Sequence, residues 1–164
     1  MPLVPLTDLA AALPPGRRLM GLDVGSRTIG LALSDVGRTI ATPWDTIRRS
    51  RFRADAERLK DLFEAQEVGG LVVGLPVQMD GREGPRCQSV RQFTRDLLAV
   101  TALPAAFWDE RLSTRGVERM LITEADMSRR RRAQVIDKLA AAYILQGALD
   151  ALSRLRARPI PDAP

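Results

Sequence analysis

Two short apolar runs joined by a Gly-rich polar turn carry a lone carboxylate, and that carboxylate is the first residue here suited to chemistry. The stretch is Leu19-Met-Gly-Leu-Asp-Val-Gly-Ser-Arg-Thr-Ile-Gly-Leu-Ala-Leu-Ser34, with Asp23 near the end of the first run. An unpaired carboxylate inside an apolar strand is costly. Asp23 is therefore expected at a cleft, facing a metal ion or a phosphate, or capping its own turn. Strand alternation puts Leu19, Gly21 and Asp23 on one face. Gly21 leaves space there, and Gly25 and Thr28 offer an amide and a hydroxyl that suit a phosphate.

Further carboxylates follow in two other segments. Phe107-Trp-Asp-Glu-Arg-Leu-Ser-Thr114 ends an apolar strand in two adjacent acids, then Arg111. Alternation sends Asp109 and Glu110 to opposite sides, so one of the two is expected in a common site, and spacing does not say which. In Val135-Ile-Asp-Lys-Leu-Ala-Ala-Ala-Tyr-Ile-Leu145, the residues Ile136, Leu139, Ala140, Tyr143 and Ile144 form a wide apolar helical face. Asp137 lies beside it near the helix start, where the dipole also favours a carboxylate. Small residues 140–142 allow close approach to a sheet. A fourth segment, Val72-Val-Gly-Leu-Pro-Val-Gln-Met-Asp-Gly81, reads as a strand exit fixed by Gly74 and Pro76, with Asp80 as a turn residue.

Carboxylates from three separate segments converging at one sheet edge would suit Mg²⁺ or Mn²⁺ and phosphodiester cleavage. Hard oxygen ligands hold such an ion while substrate phosphate and water complete its shell. The chain has no histidine and a single cysteine, Cys87. That excludes an internal disulfide, Cys/His zinc sites, and Ser-His-Asp or Cys-His catalysis.

The elements that must position these residues follow in a clear order. Strands are expected over 18–24, 29–35 and 38–42 as a meander. A helix is expected over 53–66, a buried parallel strand over 70–74, a helix over 86–99 and a strand over 105–109. Helices over 113–124 and 130–154 follow. This is an α/β mixed sheet with helices on its faces. Residues 1–16, with Pro2, Pro5, Pro14 and Pro15, read as an N-terminal extension with one short helix over 7–13 capped by Thr7. The folded unit spans 17–155, and 156–164 reads as a flexible tail.

The chain has 164 residues and a net charge of +5, with a pI near 10.5. Such a basic domain suits nucleic acid. The clusters matter more than the total: Arg48, Arg49, Arg51 and Arg53; then Arg129, Arg130, Arg131 and Arg132; then Arg154, Arg156 and Arg158. No run approaches the roughly 20 apolar residues of a membrane span. No signal-peptide pattern opens the chain, so a cytoplasmic location is expected.

Taken together, the four segments resemble the YqgF/RuvX family, Holliday-junction-resolvase-like proteins also described as pre-16S rRNA nucleases. Asp23-Val-Gly-Ser-Arg-Thr-Ile-Gly30 is similar to the family's first-strand motif, and Val73-Gly-Leu-Pro-Val-Gln-Met-Asp-Gly81 to its Gly-Leu-Pro loop. Asp109-Glu-Arg-Leu-Ser-Thr114 and Ile136-Asp-Lys-Leu-Ala-Ala-Ala-Tyr-Ile-Leu145 are similar to its later motifs. The resemblance covers residues 18–150. It implies an RNase H-like fold: a mixed five-stranded sheet flanked by helices, the first three strands antiparallel. It implies a metal-dependent nuclease maturing the 5′ end of 16S rRNA, with RNA or a ribosomal particle as partner. It also suggests Asp23, Glu110 and Asp137 as the acidic, metal-holding set, with Asp109 the alternative to Glu110.

Arg111 and Lys138 are candidates to offset charge on the scissile phosphate, and Arg129–Arg132 to guide the RNA backbone. Three rival readings stand beside this one. A Holliday-junction resolvase acting on branched DNA needs a homodimer rather than a monomer. A non-catalytic RNA- or ribosome-binding protein would use the same basic clusters. An actin-like or sugar-kinase-like ATPase shares the Asp-x-Gly hairpin but generally needs two domains.

Overall fold

The computed structural model describes residues 3–112 and 129–156. The helix expected over 113–124 and the tail from 157 onward lie outside the described residues. The element order is α1 (Leu6–Ala12), β1 (Arg18–Val24), β2 (Thr28–Ser34), β3 (Ala41–Arg48), α2 (Phe52–Ala65) and β4 (Val68–Leu75). After these come α3 (Pro85–Val100), β5 (Ala105–Asp109), a short 3-10 turn (Glu110–Leu112) and α4 (Arg129–Arg156). The strands form one sheet in the order β3-β2-β1-β4-β5. β1, β2 and β3 pair antiparallel, and β4 pairs parallel with both β1 and β5. The mixed five-stranded sheet expected from the sequence is the one observed. Among the described residues no helix is long and apolar enough to cross a membrane.

The two faces of the sheet differ in residue size, and that difference places the helices. Met20, Leu22, Val24, Ile29, Leu31, Leu33, Leu71 and Val73 pack bulky side chains against Leu59 and Phe63 of α2 and Val90, Phe93 and Leu97 of α3. Leu19, Ala32, Val72 and Ala106 face the other way, onto α4. Alternation along each strand produces this split.

Glycines let α4 lie close to the sheet. A Cβ at Gly30 would sit 2.0 Å from the Asp137 carbonyl oxygen, and one at Gly21 would sit 2.8 Å from that of Ala141. Backbone cannot yield at such distances. Gly30→Ala is therefore expected to destabilise the protein by about 2 kcal/mol, the overpacking cost exceeding the smaller gain from a stiffer unfolded chain. A lowered urea midpoint at unchanged slope is the measurement; an unchanged midpoint would contradict the close packing.

Two expectations are corrected. The third strand was expected over 38–42 and runs over Ala41–Arg48. The Asp35 carboxylate accepts bonds from the Thr39 and Ile40 amides and the Thr39 hydroxyl, enlarging the turn and delaying the strand. Thr7 lies inside α1 rather than capping it; Pro5 precedes the helix and no side chain caps it. The extension itself is anchored. Leu9 and Leu13 are buried beside α4's cluster, and the Val4 amide donates to the Ala105 carbonyl at 2.9 Å.

Candidate active site

The site lies where β1, β5 and α4 meet at one end of the sheet. Asp23 is the last-but-one residue of β1 and half-buried. It follows Leu19 and Gly21 on the face that carries α4. Glu110 opens the 3-10 turn after β5. Its Oε1 would come within 2.8 Å of a Cβ at Gly74, so the absent side chain at Gly74 gives Glu110 its place. Asp23 and Glu110 share a side-chain hydrogen bond, and Asp137 adds its charge to the same group. Burial first, then the Glu110 charge and hydrogen bond, then Asp137, push the Asp23 carboxyl up to about 8; Arg86 opposes this.

Of the adjacent acids, Glu110 is the one drawn beside Asp23. Asp109 is held elsewhere. It accepts from the Arg111 amide at 3.0 Å and from the Arg111 guanidinium, Nη2 to Oδ2 at 2.6 Å. Those bonds keep Asp109 below the usual carboxylate range. Strand alternation explains the split: Asp109 pairs with Leu75 at the end of β5, facing the bulky side, and Glu110 follows on the other.

Asp137 is positioned differently from the sequence expectation. It stands more than two turns inside α4, beyond the reach of the helix dipole, which fades within the first turn. Thr28 holds it instead: the Thr28 Oγ1 donates to Asp137 Oδ2 at 2.5 Å. The buried face of α4 is Ala141, Ile144, Leu145, Ala148, Leu149 and Leu152. Asp137 is in line with that face, not beside it, while Ile136, Leu139, Ala140 and Tyr143 are half-buried.

The sequence offers the Thr28 hydroxyl to a phosphate; in the structure it goes to Asp137 instead. The signal for that bond was a hydroxyl opening β2, opposite the strand end that carries Asp23. Asp80 is a turn residue as expected, its carboxylate accepting from the Arg82 amide at 2.9 Å. Lys138 is half-buried. The side chains of Arg129, Arg130, Arg131 and Arg132 lie outside the described residues.

Among the described residues, no group of three or more His, Cys, Asp or Glu side chains is arranged to hold a metal ion. The acids present still fit Mg²⁺ or Mn²⁺. Mg²⁺ is usually bound by one or two carboxylates plus substrate phosphates rather than an all-protein cage. A half-buried carboxyl held far above its ordinary value by burial first and then by two like neighbours is a group that gains from a cation.

A mixed sheet with three antiparallel and two parallel strands, flanked by helices and carrying acids at one end, defines an RNase H-like fold. The solved structure of T. thermophilus RuvC in complex with a Holliday junction substrate shares it. Its TM-score is 0.53 at 15% identity, over 82% of this chain and 94% of that one. The family model RuvX, described as Holliday junction resolvase, matches residues 17–151. A protein of Paramagnetospirillum magneticum is 63% identical over 150 residues, covering 92% of this chain and 96% of that protein. One of Rhodospirillum rubrum is 59% identical over 156 residues, covering 95% and 97%. Both bear the name "Putative pre-16S rRNA nuclease". The chain belongs to the RuvX family. With that membership it is a nuclease, a hydrolase of phosphodiester bonds.

Proposed function

We propose that this chain is a divalent-metal-dependent nuclease that cuts a ribosomal RNA precursor in 5′-end maturation of 16S rRNA. One observation carries the catalytic part: acids from three separate elements are gathered at one end of the sheet, two of them sharing a hydrogen bond. The names of its relatives support the RNA substrate. On this reading Asp23 and Glu110 hold Mg²⁺ or Mn²⁺, and Asp137, oriented by Thr28, completes the acidic set. Such an ion, when bound, lowers the pKa of a water and offsets charge on the phosphoryl oxygens. The chain's own part is to keep the carboxylates fixed and to hold the RNA strand across the end of β1. Lys138, Arg111 and the Arg129–Arg132 run are the proposed phosphate contacts, Arg111 while also paired to Asp109. The protein works in the cytoplasm, where a ribosomal RNA precursor is met.

A second reading is favoured by the family's own description and by the RuvC likeness: resolution of branched DNA by a homodimer presenting two such sites. One assay separates the two. A labelled 16S rRNA precursor and a labelled four-way DNA junction are each incubated with Mg²⁺ or Mn²⁺, and with EDTA. Cleavage of the RNA in metal and none in EDTA is expected. Cleavage of the junction alone would replace the RNA reading with the second. No cleavage of either would leave a binding protein and overturn the catalytic reading.

A further inference from the structure

On the opposite side of β1's end from the acids lies a polar cleft of about 360 Å³. Its walls come from three places: Val24, Gly25 and Ser26 after β1, Arg49 and Ser50 between β3 and α2, and Arg86, Ser89 and Val90 at the start of α3. Two arginines and three serines thus line one space. Among the described residues, Arg49 is fixed in place without a carboxylate. Its Nη1 donates to the Gly25 carbonyl at 2.7 Å, and its guanidinium lies 5.1 Å from the centre of the Phe93 ring. Both partners are neutral, so the full positive charge is retained. The planar group keeps further N–H donors in a fixed fork, the geometry that suits a phosphate.

The surrounding charges sharpen the contrast. Arg82, Arg91 and Arg111 are each paired with a nearby acid, and Arg53 stands 4.0 Å from Glu57. Among the described residues, neither Arg49 nor Arg86 makes a salt bridge. Asp55 lies behind Ser50, buried, and accepts both the Ser50 amide and hydroxyl. That bond pins the wall of the cleft. Arg86 is exposed, and its charge reaches Asp23, so the cleft and the acidic set share one strand end.

We propose that this cleft is a phosphate subsite: it takes a backbone phosphodiester beside the one to be cut, with Arg49 and Arg86 as its cations and Ser26 and Ser89 as hydroxyl donors. The proposal deepens the nuclease reading above and rests on it for the nature of the polymer. A strand held here and at the acids crosses the end of β1 from the α3 side to the α4 side. Of the first arginine cluster, Arg49 alone lines this cleft. Arg49 is therefore the phosphate-binding member of a cluster that otherwise reads as a solvated charge run.

The test is binding in EDTA, where nothing is cut. Full-length protein is titrated with a fluorescein-labelled single-stranded RNA and with a labelled four-way DNA junction over a series of salt concentrations. Arg86→Gln and Arg49→Gln are each expected to weaken binding several-fold. Each should also reduce the magnitude of the log–log salt slope, by about 0.7 on single strands or about 0.9 on duplex arms. Arg95→Gln removes the same charge from an exposed position later on α3 and should leave the slope unchanged. A merely structural Arg49 would lower the melting temperature without moving the slope.

Because Arg86 is exposed, its variant keeps the test decisive if Arg49→Gln fails to fold. Loss confined to one probe identifies the polymer that the cleft takes. Unchanged slopes for Arg86→Gln on both probes overturn the subsite. That failure is separable from failure of the nuclease reading, which is decided by metal-dependent cleavage and by acid variants with both arginines intact.

Discussion

Asp23→Asn is expected to slow metal-dependent cleavage by about a thousandfold or more, the scale seen when one preorganised charge contact to a transition state is lost. The substitution keeps the side-chain shape and removes the charge that a divalent cation needs. It should not unfold the protein. In the metal-free chain the Asp23 carboxyl is pushed up to about 8, by burial first and then by Glu110 and Asp137. Its unfolded value is the ordinary aspartate value of 3.8.

The sign follows from linkage. Between those two values the native state holds a proton that the unfolded state has released, so stability falls as pH rises. The contribution is complete below the unfolded value and lost as pH passes the folded one. Asn carries no such proton. The variant's melting temperature in EDTA should therefore decline less than the wild type's between the two values, while its single-turnover cleavage collapses. Wild-type cleavage by a folded Asp23→Asn protein would sink the assignment of Asp23.

Much of this was legible from periodicity, because β1 and β5 end in carboxylates after unbroken apolar runs. The observed strands, Arg18–Val24 and Ala105–Asp109, coincide with the expected ones. Burial on both faces leaves an apolar run little choice of state. For Asp23, alternation put the side chain on the face of Leu19 and Gly21, and the structure is what brings that face under α4. The site was not legible for Asp109 against Glu110, since the strand ends between them and a 3-10 turn redirects the chain. Nor was it legible for Asp137 and Thr28. The bond between them spans 109 positions in sequence, and no local pattern reports a contact of that range. The register of α4 was read about a third of a turn off, because the glycines that admit the helix lie on other strands. Asp35 moved the start of β3 by drawing three donors to one side chain, a local competition with the sheet that turn residues make possible.

Divalent-ion affinity is expected to climb steeply with pH and to level off above the Asp23 value. A carboxylate ligand must shed its proton before it binds a cation, so metal binding and proton release are linked. With the Asp23 carboxyl at about 8, affinity should rise about tenfold per pH unit below that value when one proton is released. Calorimetric titration with Mg²⁺ or Mn²⁺ across a pH series, in the absence of nucleic acid, measures this directly. A second buffer of different ionisation enthalpy counts the protons released.

Glu110→Gln then separates the causes. It removes the neighbouring charge, the second-largest influence on Asp23, and leaves desolvation, the largest. The midpoint should shift to lower pH without reaching the ordinary aspartate range. The plateau affinity should also fall, because a ligand is gone; the midpoint, not the plateau, reports the coupling between the two acids. Affinity that stays flat from about pH 6 to about pH 9 would show that no proton leaves on binding. Asp23 would then be ionised already, and the picture of an Asp23 carboxyl that keeps its proton beside Glu110 would be wrong.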